Sequence, residues 1–286
     1  MTEPRILQGL REIAGDYDAI LCDAWGVIHN GRELFPGVAE ALTSFRRERG
    51  PVLVLTNAPR PSDVIPAQLD RLGLPRDAYD GVVTSGDATM HAAHSLGDKV
   101  FYRIGPAKDD GLFDAMNLKL GSFEEAEAIF CSGLEDDLTE TPEDYRELLE
   151  KAAKRDLPMV VANPDIVVRF GDRMMFCAGA LGELYEQMGG TQILGGKPHA
   201  PIYDLARDRL AKIAGDVPER ILVIGDGLGT DILGANNQDL PVVFIAEGIF
   251  SEEVRGEDGK LSAAKLSQEL KSQDVYAAYG MDTLAW

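Results

Sequence analysis

The chain has little positive charge for its length, since 28 lysines and arginines stand against 48 aspartates and glutamates in 286 residues, a formal net charge of −20. A nucleic-acid backbone is bound by a basic surface, so this composition argues against nucleic acid as a partner. No apolar run reaches the about eighteen residues of a membrane span, and the charged N-terminus does not match a secretory signal. We therefore expect no membrane partner and a cytoplasmic location.

Cysteine is scarce as well. The three cysteines, Cys22, Cys131 and Cys177, are odd in number and far apart in the sequence. This pattern fits a reducing compartment better than a disulfide framework. Cys22 stands beside Asp23 in an apolar segment, where it could be a thiol nucleophile or a small buried residue. Free cysteine is usually buried, which favours the second interpretation.

What the sequence does contain, twice, is a strand pattern that ends at an aspartate. The segments AILCDAWGV and ILVIGDGLGTD are apolar runs that stop at Asp23 and Asp226, followed by turn residues with glycine. Buried parallel strands have this pattern. Open α/β sheets bind ligands at the carboxyl ends of their strands, so two carboxylates there could share a metal ion. The alternative is that each Asp only caps the helix that follows it.

Two further segments place polar residues where a strand ends or a helix begins. PVLVLTNAPR is an apolar strand that ends in Thr56 and Asn57, and ILGGKPHAP places Lys197 after two glycines, at the expected start of a helix. A hydroxyl, free backbone amides and an ammonium group suit a phosphate. The alternatives are an ordinary N-cap for Thr56 and an ordinary surface lysine for Lys197.

Strand and helix patterns alternate along the whole chain, which predicts an α/β fold with parallel strands and right-handed crossovers. We expect a first helix over residues 2–14, the Asp23 strand, a helix from near Pro36, and a strand over residues 52–55. Residues 85–190 have their own alternation and their own apolar strands, as a self-contained unit requires. The chain then returns for the Asp226 strand and a last strand at PVVFIAEG.

Taken in order, these segments resemble the haloacid dehalogenase (HAD) superfamily of aspartate-nucleophile hydrolases. The resemblance rests on four motifs, namely Asp23 with Gly26, Thr56-Asn57, Lys197, and Gly225-Asp226 with Thr230-Asp231. Class II members insert a cap between the second and third motifs, and TSGDAT and VANPDIVV resemble the NagD-like, class IIA branch. The resemblance implies a Rossmann-like, doubly wound core of residues 1–84 and 191–286 with an inserted α/β cap of residues 85–190.

The resemblance also implies a role for each motif residue and Mg²⁺ as the cofactor. It assigns catalysis to Asp23, Thr56 and Lys197, phosphate or substrate binding to Thr56, Asn57, Lys197, Asn163 and Asp165, and metal binding to Asp23, the Trp25 backbone carbonyl, Asp226 and Asp231. Asn163 and Asp165 belong to an Asn-Pro-Asp segment of the implied cap, and an ordinary proline turn is the alternative there.

One position departs from the pattern of the family. Phosphatases of this superfamily usually have a second Asp, the general acid and base, at the position that Trp25 occupies here. An indole has no titratable carboxyl, and general acid catalysis typically contributes about 10²- to 10⁴-fold. His29 is the nearest titratable substitute, with a simple turn histidine as the alternative. Arg60 is a candidate for additional positive charge beside the phosphate.

The sequence leaves several functions to compare. The favoured one is a Mg²⁺-dependent phosphatase that cleaves a small phosphorylated metabolite through an aspartyl-phosphate, with a homodimer left open. The main alternative is an impaired relative that binds or regulates, because Trp25 replaces the general acid. A halide-displacing dehalogenase needs no metal and disagrees with the fourth-motif acids. A dinucleotide site with Glu247 on the ribose disagrees with the glycine spacing and with Asp226 and Asp231, which stand where a pyrophosphate would lie.

Overall fold

The computed structural model describes residues 3–170 and 173–286. Its strands, in chain order, are β1 (Arg5–Ile6), β2 (Ala19–Cys22), β3 (Val52–Thr56), β4 (Gly81–Thr84), β5 (Val100–Ile104), β6 (Lys119–Leu120), β7 (Ala128–Cys131), β8 (Met159–Val161), β9 (Val167–Phe170), β10 (Arg173–Phe176), β11 (Gln192–Leu194), β12 (Ile221–Gly225), β13 (Val242–Ile245) and β14 (Tyr279–Met281). Its α-helices are α1 (Val38–Glu48), α2 (Ile65–Leu72), α3 (Ser85–Ser95), α4 (Asp110–Met116), α5 (Arg146–Ala153), α6 (Ala178–Gln187), α7 (Ala200–Ala214), α8 (Leu233–Asn237), α9 (Ser251–Val254) and α10 (Ala263–Ser272). The predicted α/β class is confirmed.

Seven parallel strands form the larger sheet, in the order β1-β14-β13-β12-β2-β3-β4. Its central strands are short apolar runs that are buried along their whole length, as expected where helices cover both faces. Successive residues of β2 pack into different clusters, with Ile20 and Cys22 on one face and Ala19 and Leu21 on the other. This burial on both faces confirms the doubly wound sheet.

The strand order reverses between β2 and β12. From β2 the chain moves outward to β3 and β4, whereas from β12 it moves in the opposite direction to β13 and β14. Open α/β sheets bind ligands in the crevice that such a reversal creates at the carboxyl ends of the strands. β2 ends directly before Asp23 and β12 directly before Asp226, so the two strand-end acids lie at this crevice.

A smaller sheet of five parallel strands, in the order β11-β8-β7-β5-β6, comes from the chain between β4 and β12. It has its own buried clusters, one that includes Tyr185 and another that includes Phe130. The sequence-based boundary placed everything from residue 191 onward in the core, but β11 pairs with β8 of the smaller sheet. The smaller sheet therefore extends to Leu194, and the division into domains stays a prediction.

Strands β9 and β10 form an antiparallel hairpin outside both sheets. Val167 pairs with Phe176 at one end of the hairpin, and Phe170 pairs with Arg173 at the other. The residues of β9 are half-buried, whereas Phe176 on β10 is exposed. Sequence analysis did not predict this hairpin, although two apolar runs separated by Gly-Asp are a recognised hairpin signal.

The helix predicted over residues 2–14 is wrong. Within residues 3–14 the chain forms β1, which pairs with β14, and then a 3₁₀ turn at Leu10–Glu12. The amide of Leu10 donates to the carbonyl of Ala285 at 2.8 Å, and a Cβ added to Gly9 would lie 2.5 Å from the carbonyl oxygen of Trp286. Contacts with the C-terminal residues thus determine the conformation of this segment. Thr2, the first residue of the predicted helix, lies outside the described residues.

The prediction that PVVFIAEG contains the last strand is also wrong, because β14 follows β13 in the chain and lies beside it in the sheet. The other core elements lie close to their predicted places. β3 extends one residue further than expected, to Thr56, and α1 begins at Val38. In the part of the chain that the structure describes, no helix has both the length and the apolar character needed to cross a bilayer.

Candidate active site

The motif residues that the sequence singled out meet in one cavity of about 260 Å³. Asp23, Thr56 and Asp226 come from the ends of β2, β3 and β12, which are neighbouring parallel strands and therefore finish at the same edge of the sheet. Lys197 enters from the loop between β11 and α7. Asn57 and Asp231 complete this part of the lining.

Lys197 is the centre of the cavity's hydrogen bonding. Its Nζ lies 2.6 Å from Oδ1 of Asp23 and 2.6 Å from Oδ1 of Asp231, and the residue is only 2% exposed. Asn57 fixes its backbone, because Oδ1 of Asn57 accepts from the Lys197 amide at 2.8 Å and Nδ2 donates to the Lys197 carbonyl at 3.1 Å. The surface alternative for Lys197 is therefore wrong.

The cavity holds more buried negative charge than Lys197 can balance. Burial raises the pKa of Asp23 well above its usual range, and Asp231 and Asp226 raise it further against the opposing effect of Lys197. Burial likewise raises the pKa of Asp226 to about 7. For Lys197, burial lowers the pKa but Asp23 and Asp231 outweigh it, so its pKa is raised and the ammonium stays charged. The remaining negative charge favours a bound cation.

Three of the acids are arranged so that one ion could reach them all. Carboxylate oxygens of Asp23, Asp226 and Asp231 lie within 4.8 Å of one another, and the three residues are buried. Carboxylate oxygens are the ligands that Mg²⁺ and Ca²⁺ take in proteins. Oδ2 of Asp226 is held by the Ile249 amide at 2.9 Å, and Oδ2 of Asp231 accepts from the Gly227 amide at 3.1 Å. These residues fit a divalent cation.

Thr56 lies at the end of β3 with 7% exposure and lines the same cavity. Its Oγ1 accepts from the amide of Ala58 at 3.2 Å, so the hydroxyl holds the turn that follows the strand. The hydroxyl proton is not used by that bond and is available to a ligand oxygen. Thr56 therefore caps a turn and also lines the cavity.

Trp25, at the position of the missing general acid, points toward the β9–β10 hairpin. Its Nε1 donates to the backbone carbonyl of Arg169 at 2.6 Å, and its ring centroid lies 6.0 Å from that of Phe170. A side chain at Gly31 would meet both rings, so the contact needs glycine there. The indole thus anchors the hairpin over the cavity.

His29 does not supply the missing acid. The residue is 2% exposed, and its Nδ1 accepts from the Gly31 amide at 3.0 Å. Burial lowers its pKa to about 4, so the imidazole is neutral at neutral pH and has no acidic proton to transfer. The turn interpretation of His29 is the one that its contacts favour. Burial also raises the pKa of the Cys22 thiol well above its usual range, which fits a core residue and not a nucleophile.

Of the two candidate residues in the Asn-Pro-Asp segment, only Asp165 lines the main cavity, and both line a second cavity beside it. Asp165 lines the main cavity and accepts from Nδ2 of Asn57 at 2.8 Å. Asn163 lines a neighbouring cavity of about 150 Å³, and its Oδ1 accepts from the Asp165 amide at 3.0 Å. Arg60 lines that neighbouring cavity too, 3.5 Å from Asp109, and so adds no positive charge to the main one. The suggestion that Arg60 assists there is wrong.

Several lining residues were not found by sequence reasoning as site residues. The additional members include Phe35, Arg169, Gly248, Ile249 and Phe250. None carries a motif signal. Phe35 lies in the loop between β2 and α1, and the others line the cavity because the hairpin and the loop after β13 lie over the strand ends. Glu247, considered above as a ribose ligand, lines the cavity but forms an ion pair with Arg255 at 2.6 Å.

Comparisons with known proteins agree with this geometry. The family of haloacid dehalogenase-like hydrolases matches residues 20–119, and a HAD-like hydrolase family matches residues 194–268. A solved hydrolase of the haloacid dehalogenase-like family from Brucella suis 1330 is 38% identical, covers 98% of this chain and 100% of its own, and superposes with a TM-score of 0.87.

Two more distant relatives have more specific names. An acid sugar phosphatase from Staphylococcus saprophyticus is 25% identical over 83% of this chain and 90% of its own length. The structure of a glycerol phosphate phosphatase from Mycobacterium tuberculosis in complex with magnesium is 25% identical, covers 89% of this chain and 77% of its own, and has a TM-score of 0.65.

A match at 38% identity over nearly both full lengths defines the class of protein. The chain belongs to the haloacid dehalogenase-like family of hydrolases. The resemblance that the four motifs carried is therefore confirmed, and the sugar phosphatase relative is consistent with the class IIA branch.

Proposed function

We propose that this hydrolase is a Mg²⁺-dependent phosphatase that cleaves a small phosphate ester through an aspartyl-phosphate on Asp23. The observation that carries the proposal is the Asp23–Lys197–Asp231 chain of 2.6 Å contacts inside a cavity that also holds Asp226. A buried carboxylate beside a fixed ammonium and two further acids is suited to phosphoryl transfer. The phosphatase names of the two distant relatives support the same reaction.

In the first step, a carboxylate oxygen of Asp23 attacks phosphorus, and the ester oxygen leaves with the bonding electron pair. Lys197 and the Thr56 hydroxyl donate hydrogen bonds to the phosphoryl oxygens as charge shifts onto them. Asn57 contributes by holding the backbone of Lys197 in place. In the second step a water attacks the phosphorus of the aspartyl-phosphate, which releases phosphate and restores Asp23.

Asp23, Asp226 and Asp231 would hold Mg²⁺, and the backbone carbonyl of Trp25 is the fourth proposed ligand. The bound ion supplies charge neutralisation for the phosphoryl group. The magnesium complex of the mycobacterial relative supports this choice of metal. The hydrogen bonds of Asp226 to the Ile249 amide and of Asp231 to the Gly227 amide keep both carboxylates oriented toward the cavity.

Trp25 favours a second candidate, a slow relative that mainly binds or regulates. The indole N–H is already used by the Arg169 carbonyl, and His29 is neutral, so neither supplies a proton to the leaving oxygen. Loss of general acid catalysis costs about 10²- to 10⁴-fold toward poor leaving groups. The two candidates differ in turnover and share the same phosphate and metal site.

The proposed substrate is a small phosphorylated metabolite, because the cavity holds about 260 Å³ and its walls include Phe35 and Phe250 beside the polar residues. Asp165 and Asn163 are proposed to contribute to substrate binding, Asp165 in the main cavity and Asn163 from the neighbouring one. Cytoplasmic location and a homodimer stay predictions.

A screen of phosphate esters with and without Mg²⁺ tests the proposal. Wild-type protein should release phosphate only with the metal, and Asp23→Asn should abolish release, because an amide cannot act as the nucleophile. Asp204→Asn is the matched control, since its side chain is 71% exposed on α7, away from the cavity. Phosphate release by Asp23→Asn at the wild-type rate would remove Asp23 from its role. Absence of release by the wild type, together with retained phosphate binding, would favour the regulatory candidate.

A further inference from the structure

The main cavity has two cationic lining residues among the part of the chain described, Lys197 and Arg169. Lys197 is already paired, because its ammonium contacts both Asp23 and Asp231, and its third N–H is the donor proposed for the phosphoryl group. Arg169 has no carboxylate partner among the described residues. A protein of net charge −20 would easily provide an acidic partner for a merely structural arginine, so a cation left unpaired beside a ligand cavity calls for a functional explanation.

The position of Arg169 is fixed from two sides. Its backbone carbonyl accepts the 2.6 Å hydrogen bond from Trp25, which holds β9 against the larger sheet. Its Nη1 lies 3.4 Å from Oγ of Ser251, next to Phe250 of the cavity wall. Among the described residues this is the side-chain contact that the guanidinium makes, and it uses one of its five donors. Arg169 thus reaches from the hairpin to the opposite rim of the cavity.

The cations that line the neighbouring cavity, and Arg255 beside Glu247, have acidic partners. Glu247 forms an ion pair with Arg255, and Arg60 lies against Asp109 in the neighbouring cavity. Lys108 of that neighbouring cavity is paired with Asp137. Among the described residues that line the main cavity, Arg169 is therefore the cation available to the part of a substrate that lies beyond the phosphoryl group.

We propose that Arg169 selects phosphate esters whose alcohol part carries a second anionic group, either a carboxylate or a second phosphate. This inference rests on the proposed phosphatase function and names the substrate class. A planar guanidinium matches both groups with two parallel hydrogen bonds. The transferred phosphoryl group accepts hydrogen bonds from Lys197 and Thr56, and the second anionic group binds Arg169 at the rim of the cavity.

Matched pairs of esters test the inference. Phosphoglycolate differs from ethyl phosphate by a carboxylate in place of a methyl group, and propane-1,3-diyl bisphosphate differs from 3-hydroxypropyl phosphate by a second phosphate. Wild-type kcat/KM should be higher for the anionic member of at least one pair. The two pairs distinguish a carboxylate from a phosphate as the group that Arg169 binds.

Arg169→Gln should lower the ratio of kcat/KM between the anionic and the neutral member about ten- to hundredfold, the range of a hydrogen bond to a charged group. Arg169→Lys should keep part of the ratio. Arg173→Gln is the matched control, because Arg173 is exposed on β10 of the same hairpin and does not line the cavity. Each ester has the same intrinsic leaving-group reactivity with every variant. A change in the ratio between variants therefore reports how the protein recognises the second anionic group.

The outcomes separate this inference from the proposed function. If wild-type protein cleaves both members equally, or if Arg169→Gln and Arg173→Gln have the same ratio, the inference is wrong while the phosphatase function stands. If no ester is cleaved, calorimetry of the same pairs with Asp23→Asn gives the ratio of affinities without turnover. Equal affinities of Asp23→Asn for the two members of each pair would overturn the inference. A lower ratio of affinities in the double variant Asp23→Asn/Arg169→Gln than in Asp23→Asn would support it. Circular dichroism of each variant shows that the fold is kept.

Discussion

Trp25 and Arg169 are joined by a hydrogen bond of 2.6 Å from the indole Nε1 to the backbone carbonyl. Trp25 follows the proposed nucleophile Asp23 by two residues, whereas Arg169 lies on the β9–β10 hairpin. In place of an acid that would donate a proton, this chain therefore has a side chain that holds the hairpin on the rim of the cavity. Position 25 thus has two effects that substitutions can separate, the lack of a proton donor and the contact with the hairpin.

Trp25→Phe keeps a ring against Phe170 but removes the N–H donor. The Arg169 carbonyl loses its partner, and we expect a loss of about 1–3 kcal/mol in the free energy of unfolding, measured in urea. Limited proteolysis should show faster cleavage in the hairpin. Trp286→Phe, the change at the other tryptophan of the chain, is the control and should leave hairpin cleavage at the wild-type rate. Equal cleavage of Trp25→Phe and wild type would show that the bond does not hold the hairpin.

Wild-type protein should cleave aryl phosphates far better than alkyl phosphates of similar size, because a phenolate departs without a proton. Trp25→Asp should then raise turnover of alkyl esters selectively, within the roughly 10²- to 10⁴-fold range of acid catalysis. Trp25→Asn is the control, since it has a similar size and loses the same anchor but cannot titrate. Equal alkyl rates for the Asp and Asn variants would argue against a missing acid at this position.

His29→Asn should leave the acid limb of any pH–rate profile unchanged. An Asn amide oxygen can replace Nδ1 as the acceptor for the Gly31 amide, so the turn is kept while the imidazole is lost. Because burial lowers the pKa of His29 to about 4, the imidazole is mostly neutral above about pH 5, and its remaining N–H is not acidic. If the acid limb of the alkyl-ester profile disappears in His29→Asn, the imidazole is the proton donor after all.

Without metal, Asp226 should make the protein less stable as pH rises. Burial raises its folded pKa to about 7 from 3.8, so between these values the folded protein keeps a proton that the unfolded chain has released. Its contribution is therefore fully present below pH 3.8 and is lost as pH rises through about 7, at no more than roughly 1.4 kcal/mol per pH unit. This contribution is measured as the difference in Tm between wild type and Asp226→Asn, followed from pH 4 to pH 8 in EDTA.

The same variant tests the metal site. Mg²⁺ should raise the Tm of wild-type protein near pH 7, with a stabilisation of about 2.7 kcal/mol at a concentration of 100 Kd. Asp226→Asn should lose most of this effect, whereas Asp204→Asn on the surface should keep it. An equal Mg²⁺ response in Asp226→Asn and wild type would place the ion elsewhere.

The sequence by itself determined the central part of the larger sheet and the residues at its strand ends. β2, β3 and β12 are apolar runs buried on both faces, and each ends at the first residue of its motif or directly before it, so local pattern and burial agree. From this agreement the sequence predicted that Asp23, Thr56 and Asp226 would meet. Lys197 was singled out by its place after two glycines and assigned to the same site by the resemblance, whereas its contacts with Asp23 and Asp231 came from the structure.

The ends of the larger sheet and the rim of the cavity were decided only by the tertiary structure. The N-terminal segment has the spacing of a helix, yet β1 pairs with β14 more than 270 residues away and Gly9 packs against Trp286. Likewise, no local pattern predicts that Trp25 donates to the carbonyl of Arg169, or that the Arg169 side chain lines the cavity without an acidic partner among the described residues. Such contacts join residues that are distant in the sequence, and their energies depend on which surfaces the finished fold brings together.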